Sequence, residues 1–192
     1  MKPPERIETP LTKDDVSRLS CGDRVLLSGV VYTARDQAHR RMFEALSRGE
    51  SLPFPLAGQV LFYAGPSPAP PGAVIGAIGP TTSARMDRYT PVLLANGLRG
   101  MIGKGRRSGD VIEAIRRYGA VYFGAMGGLA ALLSRCVREA SVVAYGDLGP
   151  EAVRRLVVAD FPLVVINDRE GRDLYDEAVR LYGRPSRFNS PR

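Results

Sequence analysis

The sequence predicts an α/β domain in which helices pack on a mixed, partly barrel-like sheet. Two observations predict this class. In the C-terminal half, short apolar segments alternate with segments of helical spacing, which is typical of helices that pack on a parallel or mixed sheet. In the first third, a Pro-rich loop over residues 65–72 joins apolar segments, which indicates an antiparallel or barrel-like portion.

The elements and the domain boundaries are predicted in chain order. The predicted strands cover residues 24–33, 58–64, 73–78, 100–102, 120–123, 141–145 and 163–166. The predicted helices cover residues 14–19, 35–47, 84–96, 110–118, 129–137, 150–155 and 171–181. Gly29 interrupts the apolar run of the first strand, which predicts a bend or bulge, and Pro91 predicts a helix start or kink. We expect an N-terminal arm over residues 1–12, a single domain over 13–182 and a flexible basic tail over 183–192.

Composition indicates one globular domain and argues against a membrane anchor. The chain has 192 residues, of which 44% are hydrophobic and 24% are charged. Its longest apolar stretch, residues 119–133, contains four glycines, is shorter than the ~20 apolar residues a span needs, and lies between Arg117 and Arg135. The first residues contain no apolar segment typical of a signal peptide. We therefore expect a cytoplasmic protein.

The supply of metal ligands is poor. The chain has two cysteines, Cys21 and Cys136, far apart and in no CxxC motif, and its one histidine is His39. Neither a disulfide framework nor a four-thiolate zinc or iron-sulfur site can be expected from this chain alone. The sequence predicts no metal ligands in this chain, so any metal chemistry has to come from a partner.

The charge favours an anionic substrate or an acidic partner over nucleic acid. Lys and Arg number 27 against 20 Asp and Glu, a net charge of +7. Aromatic residues make up 7% of the chain, which leaves few stacking platforms, and no nucleic-acid-binding motif stands out. Two apparent nucleotide motifs fail: Gly105 stands where a Walker A loop after Lys104 needs Ser or Thr, and the glycines at 72, 76 and 79 do not match GxGxxG.

Three polar segments follow predicted strands and are the candidates for a binding site. They are residues 33–36 with His39 one turn later, residues 79–87, and residues 103–108. Loops beyond the carboxyl ends of strands gather the ligand-binding groups of α/β sheets. The three segments supply the cations Arg35, Arg85, Lys104 and Arg106 and the hydroxyls of Thr81, Thr82 and Ser83, which together predict a pocket for a small anion such as a dicarboxylate.

Each segment also has a structural interpretation. Thr82 or Ser83 can be a helix N-cap, Arg35 can pair with Asp36 or Glu44, and residues 103–108 can form a basic turn. His39 can be a hydrogen-bonded structural residue. Taken singly, these interpretations are favoured; taken together, the three loops favour a site.

The longer motifs carry a resemblance to a known family. The segments GVVYTARDQAH (29–39), YAGPSPAPPG (63–72), IGAIGPTTSARMDRYTP (75–91), LRGMIGKGRRS (98–108) and YGDLGPEA (145–152) resemble the beta subunit, or C-terminal domain, of the iron-sulfur-dependent class I fumarases and the related L-tartrate dehydratases. The resemblance covers residues 11–175. It implies a swivelling β/β/α fold and a hydro-lyase that is active only with an alpha subunit.

The resemblance also implies where the cofactor lies. In such enzymes the alpha subunit carries three cysteine ligands of a [4Fe–4S] cluster, whose open iron acts as a Lewis acid on the substrate hydroxyl. This chain would not bind the cluster. It would complete a hetero-oligomer that binds a C4-dicarboxylate, fumarate or malate.

The resemblance assigns roles to four residues. Arg35, Arg85 and Lys104 would bind the substrate carboxylates, and Thr81 would be the catalytic hydroxyl that exchanges a proton with the substrate carbon. Thr82 is the alternative hydroxyl. The segments are more similar to the fumarase version than to the tartrate dehydratase version. A beta subunit of L-tartrate dehydratase is the near alternative, and a non-catalytic anion- or RNA-binding accessory protein is an alternative from another class.

Overall fold

The computed structural model describes residues 2–126 and 128–183, and this part of the chain forms one mixed α/β structure. Its strands are β1 (Glu5–Glu8), β2 (Arg24–Thr33), β3 (Val60–Phe62), β4 (Gly100–Gly103), β5 (Val121–Gly124), β6 (Val137–Ala144) and β7 (Val153–Asn167). Its α-helices are α1 (Lys13–Ser17), α2 (Asp36–Ser47), α3 (Thr90–Ala95), α4 (Gly109–Tyr118), α5 (Ala130–Ser134) and α6 (Leu174–Tyr182). Short 3₁₀ helices cover Ser83–Met86 and Gly146–Glu151.

The strands form a seven-stranded sheet that is partly closed as a barrel. Strands β2, β3, β4 and β5 are successive parallel neighbours. The long strand β7 runs antiparallel to both β5 and β2 and so joins the two ends of this row. Strands β1 and β6 attach outside the ring, to β2 and β7. The predicted fold class, an α/β domain with a barrel-like portion and helices packed on it, is confirmed.

A bulge in β2 lets this strand bend around the barrel. The register of β2 against β7 shifts between Leu27 and Gly29, and Gly29 has a φ of +99°. A Cβ at Gly29 would lie 2.5 Å from Oγ1 of Thr9, so both the backbone angle and the packing require glycine. The predicted bend or bulge at this position is confirmed.

Two hydrophobic clusters lie on opposite faces of the strands. Phe62 and Phe123 belong to the cluster that β1, β2 and β7 also line. Leu61 and Tyr122, their neighbours in sequence, belong to the cluster that helices α2, α3 and α4 cover. Successive strand residues point to opposite faces, so each short apolar strand contributes to both clusters.

Two sequence predictions of secondary structure are wrong. Residues 73–78 form no strand but follow the Pro-rich loop as irregular chain, with the Ser67 N–H bonded to the carbonyl of Ala77. Ile75 and Ile78 are nevertheless buried, which accounts for the strand-like apolar pattern. The helix predicted over 150–155 is replaced by the 3₁₀ helix that ends at Glu151 and by the start of β7. The helix predicted over 84–96 is divided into the 3₁₀ helix and α3, and the predicted helix start near Pro91 is confirmed.

The structure describes most of the predicted N-terminal arm but almost none of the predicted C-terminal tail. Within residues 1–12, expected as an arm, Glu5–Glu8 form β1, and Ile7 and Leu11 are buried. The division of the chain at residues 12 and 182 stays a prediction. Of the predicted tail 183–192, all residues after Gly183 lie outside the described part of the chain. No helix in the described part is long and apolar enough to cross a bilayer.

Candidate active site

The candidate active site lies where β2, β3 and β4 end. These strands are parallel neighbours, so their carboxyl ends meet at one edge of the sheet. Backbone hydrogen bonds continue the pairing just beyond the strands: the Ala34 N–H donates to the Phe62 carbonyl over 3.1 Å, and the Tyr63 N–H donates to the Ile102 carbonyl over 2.8 Å. The segments that follow these strands therefore start side by side.

The segment 81–83 inserts between the ends of β3 and β4 and brings Thr81 next to Lys104. The Thr81 N–H donates to the Tyr63 carbonyl over 2.7 Å, and the Lys104 N–H donates to the Thr81 carbonyl over 3.2 Å. The Ser83 N–H then donates to the Lys104 carbonyl over 3.0 Å. A Cβ at Gly103 would lie 1.9 Å from Oγ of Ser83, so this close approach depends on glycine.

Arg85 joins this segment to the start of α2. Its Nη2 donates to Oγ1 of Thr81 over 2.5 Å and lies 3.2 Å from a carboxylate oxygen of Asp36. The guanidinium is half exposed, with 48% of the side-chain surface accessible, and can still accept an anion. Two of the predicted site residues, Thr81 and Arg85, are therefore in direct contact.

Arg35 lies at the same edge, on the N-cap of α2. A guanidinium nitrogen of Arg35 is 3.7 Å from Glu151, whose carboxylate also accepts the N–H of Gln37 over 2.9 Å. Nε of Arg35 is buried and has no hydrogen-bond partner among the described residues. A Cβ at Gly65 would lie 2.9 Å from this nitrogen, so the guanidinium packs directly against the Gly65 backbone.

Lys104 and Arg106 point to different surroundings. Lys104 is exposed, and no carboxylate of residues 2–126 or 128–183 pairs with it. Arg106 instead pairs with Asp176 of α6 over 2.5 Å and lies over the ring of Tyr175. The structure thus brings Arg35, Thr81, Arg85 and Lys104 to one edge and turns Arg106 toward α6.

Comparison with known proteins shows which family the chain belongs to. The family model described as the fumarase C-terminus matches residues 5–178. The chain belongs to this family.

Its relatives are of two kinds. The chain is 35% identical over 177 residues to fumarate hydratase 2 of Leishmania major, and this match covers 90% of the chain. It is 36% identical over 166 residues to the anaerobic class I fumarate hydratase of Escherichia coli (strain K12), a match that covers 85% of the chain. It is 42% identical over 173 residues to a putative L(+)-tartrate dehydratase subunit beta of Methanocaldococcus jannaschii, which covers 87% of this chain. The chain spans 31% and 30% of the two fumarate hydratases but 89% of the tartrate dehydratase subunit.

His39 is a core residue. Its side chain is fully buried, and its ring meets that of Tyr63 edge-on at 5.0 Å between centroids. Neither ring nitrogen has a hydrogen-bond partner among the described residues, so the expectation of a hydrogen-bonded histidine is wrong. Burial, together with the charge of Arg107, lowers the pKa of His39 to about 3, and the imidazole is neutral at neutral pH.

The expected N-cap roles are also absent from this segment. Thr82 occupies the N-cap position of the 3₁₀ helix, but its side chain makes no capping bond. The hydroxyl of Ser83 lies instead 2.8 Å from the hydroxyl of Tyr122. The hydroxyls of the segment 81–83 are thus not used for capping.

Sequence reasoning missed the carboxylates that hold the arginines. Arg35 pairs with Glu151, not with Asp36 or Glu44, because Asp36 pairs with Arg85 and Glu44 pairs with Arg40 on the same helix. Glu151 lies in the YGDLGPEA segment, which resembles the family but to which the resemblance assigns no role. That segment was the available signal, but the sequence does not show that it folds against the start of α2.

The described residues do not fit an iron-sulfur cluster. Among residues 2–126 and 128–183, no group of three His, Cys, Asp or Glu side chains is arranged to hold a metal ion. Cys21 donates through Sγ to the Ile166 carbonyl at 3.3 Å, and burial raises its pKa to about 12. Burial also raises the pKa of Cys136. Neither thiol is therefore a preformed thiolate ligand.

Proposed function

We propose that this chain is the beta subunit of a two-subunit hydro-lyase that interconverts fumarate and (S)-malate. The observation that carries the proposal is the meeting of Thr81, Arg85, Lys104 and Arg35 at one edge of the sheet, although three separate segments supply them. Membership of the fumarase C-terminus family and the likeness to fumarate hydratases support the same reaction.

The cations suit a substrate with two carboxylates. Arg35 and Arg85 each face one carboxylate of the protein, Glu151 and Asp36, whereas Lys104 faces none in the described chain. This edge therefore keeps a positive charge that a dianion can neutralise. Charge-assisted hydrogen bonds from guanidinium and ammonium groups contribute about 1.5–3 kcal/mol each, enough to hold a small dicarboxylate in one orientation.

Thr81 supports the proton transfer better than Thr82 does. Hydration of fumarate adds hydroxide to one carbon of the double bond and a proton to the other, and the reverse reaction removes both. Arg85 donates to Oγ1 of Thr81 and so stabilises the oxyanion that remains when the hydroxyl gives up its proton. Thr82 is exposed and makes no capping bond, so no described cation at its hydroxyl lowers the cost of deprotonation.

The enzyme needs a partner in this proposal. We assign the [4Fe–4S] cluster to an alpha subunit, because the described residues of this chain do not fit one and because the chain spans about a third of the fumarate hydratases it matches. This chain binds the carboxylates, orients the substrate and exchanges the carbon-bound proton. The isolated chain is therefore expected to be inactive. The cytoplasmic location stays a prediction.

L-tartrate is the second candidate substrate. A single observation favours it: the chain matches 89% of a putative L(+)-tartrate dehydratase subunit beta at 42% identity. Tartrate is also a C4-dicarboxylate, so the same cations can bind it. Its second hydroxyl calls for a hydrogen-bonding group that fumarate does not need, and loss of water from it gives oxaloacetate.

The test is to co-express the chain with an alpha subunit under anaerobic conditions and to assay the cluster-loaded complex. Formation of fumarate from (S)-malate supports the fumarase proposal, and formation of oxaloacetate from L-tartrate supports the second candidate. Arg85→Ala should abolish most activity without loss of assembly. The control Arg18→Ala removes an arginine that pairs with Asp15 on α1, and it should keep both activity and assembly. A loaded complex that is inactive on both substrates, with salt-dependent RNA binding by the chain, would instead favour a non-catalytic accessory protein.

A further inference from the structure

A buried arginine lies directly beneath the candidate active site. The side chain of Arg107 has no exposed surface and pairs with Asp87 over 2.8 Å. It also donates to Oγ1 of Thr90 over 2.9 Å, and its guanidinium lies over the rings of Tyr63 and Tyr122, 5.3 and 4.9 Å from their centroids. Arg107 thus reaches no solvent, and its charge is balanced by the carboxylate of Asp87.

The Arg107–Asp87 pair joins the two segments that carry the proposed site residues. Asp87 closes the segment that holds Thr81 and Arg85, and Arg107 follows Lys104 in the other segment. The second carboxylate oxygen of Asp87 accepts the N–H of Ser108 over 2.7 Å, so one carboxylate holds both the side chain and the backbone of the Lys104 segment.

Tyr122 of β5 makes a second connection between the same segments. Its hydroxyl lies 2.8 Å from Oγ of Ser83 and donates to the carbonyl of Gly105 over 3.0 Å. Burial raises the pKa of Tyr122, so this hydroxyl keeps the proton that it donates. The two connections hold the segments 81–87 and 104–108 together from below.

We infer that Arg107 is a positioning residue that fixes Thr81 and Arg85 relative to Lys104. The inference rests on the proposed hydro-lyase function. Its physical reason is that a buried ion pair contributes little net stability compared with apolar side chains of similar volume, whereas its fixed hydrogen-bond geometry holds two loops in one register. Removal of the pair should therefore shift the two loops relative to each other while the chain still folds.

The test compares single and double replacements of the pair in the alpha–beta complex. Arg107→Met or Asp87→Asn alone leaves an uncompensated buried charge and should lower the melting temperature. The double variant removes both charges and should recover most of the melting temperature. Its kcat should still be reduced by about 100-fold, because a small misplacement of reacting groups is enough to cause such a loss. Arg107→Lys keeps the charge but loses the fork geometry of the guanidinium. Its kcat should lie between those of wild type and the double variant.

A matched control removes an exposed ion pair. Arg40 and Glu44 pair over 2.8 Å on the surface of α2, and the double variant Arg40→Met, Glu44→Gln should keep wild-type kcat and KM. If the Arg107 and Asp87 double variant recovers both melting temperature and kcat, the pair is only structural and the inference is wrong.

Hydrogen exchange tests the connection without relying on turnover. In the full chain, the amides of Ser83 and Lys104 are bonded across the two segments. They should exchange about 10-fold faster in the Arg107 and Asp87 double variant, while the amides between β4 and β5 keep their protection. Unchanged exchange at these two amides would overturn the inference. An inactive wild-type complex with faster exchange in the variant would overturn the proposed function and leave the connection supported.

Discussion

The guanidinium of Arg85 donates to the hydroxyl oxygen of Thr81 over 2.5 Å. The bond uses a lone pair of the threonine oxygen and leaves its O–H free to donate elsewhere. A positive donor at this oxygen lowers the free energy of the oxyanion relative to the neutral hydroxyl. Thr81 is therefore a proton donor, and the positive charge of Arg85 stabilises the oxyanion that remains when the proton leaves. The backbone of the same segment is bonded to Lys104.

Thr81→Ala should lower kcat in the alpha–beta complex by about 100-fold or more, the usual contribution of a positioned proton-transfer group. Thr81→Ser keeps the hydroxyl beside Arg85 and should retain most of the activity. Steady-state assays of malate dehydration by the complex measure both.

Thr82→Ala is the matched control for the neighbouring hydroxyl. Thr82 is exposed and makes no capping bond, so kcat, KM and melting temperature should stay near the wild-type values. A larger loss of kcat in Thr82→Ala than in Thr81→Ala would exchange the roles of the two hydroxyls.

Lys104→Gln should weaken substrate binding without weakening the fold. The side chain is exposed and has no carboxylate partner in the described chain, so the free energy of unfolding should change by less than about 0.5 kcal/mol. KM for malate should rise by about 10-fold or more, since one charge-assisted hydrogen bond is lost. Urea unfolding of the chain and kinetics of the complex give the two quantities.

Arg106→Gln is the control for charge in the same loop. Arg106 pairs with Asp176 of α6 and not with the site, so its loss lowers the net charge equally but should leave KM near the wild-type value. Equal increases of KM in the two variants would show that Lys104 acts through long-range charge and not through contact.

The position of the candidate site was predictable from the sequence because it depends on local order along the chain. Each of the segments that begin at Thr33, Gly79 and Gly103 was placed after a strand, and carboxyl ends of neighbouring parallel strands meet at one edge. The second segment lies at this edge although the strand predicted before it is absent. Residues 73–78 form no strand, yet the backbone of Thr81 is bonded to Tyr63 and Lys104, just beyond the ends of β3 and β4.

The partners of the site residues were not predictable from the sequence. Arg35 has acidic neighbours in sequence at Asp36 and Glu44, but it pairs with Glu151, because the 3₁₀ helix before β7 packs on the start of α2. Arg106 and Arg107 are neighbours in the sequence but differ in burial. Arg107 is buried and pairs with Asp87, whereas Arg106 is exposed and pairs with Asp176. Such choices depend on tertiary packing, which spacing along the chain does not encode.

Gly103→Ala should damage both the fold and the proposed site. The new Cβ would lie 1.9 Å from Oγ of Ser83 and 3.1 Å from a ring carbon of Tyr63, so the Ser83 hydroxyl must leave its place beside Tyr122 or the segment 81–83 must shift. We expect a loss of about 1–3 kcal/mol in the free energy of unfolding, the usual cost of overpacking, and a large loss of kcat. Gly109→Ala is the control, since a Cβ there meets no atom within 4 Å, and it should leave stability and kcat near wild type. Equal stability of the two variants would contradict this account.

His39 should make the stability of the fold depend on pH in a specific range. Burial and then the charge of Arg107 lower its pKa from 6.5 to about 3, so between these values the unfolded chain binds a proton that the folded chain does not. This contribution to stability is fully present above pH ~6.5 and is lost as the pH falls toward ~3, by up to about 1.4 kcal/mol per pH unit. His39 is the one histidine of the chain, so no other imidazole obscures the effect.

The variants His39→Phe and His39→Leu isolate this titration from that of the carboxylates. Neither residue titrates, so the free energy of unfolding of each variant relative to wild type should rise steadily as the pH falls from about 6 to about 4. Phe also keeps a ring against Tyr63 and removes two buried nitrogens that have no partner among the described residues, so it should cost little stability at neutral pH. Urea unfolding at several pH values measures the difference. Parallel curves for wild type and both variants would mean that the imidazole is protonated in the folded chain at no cost, which is incompatible with its burial.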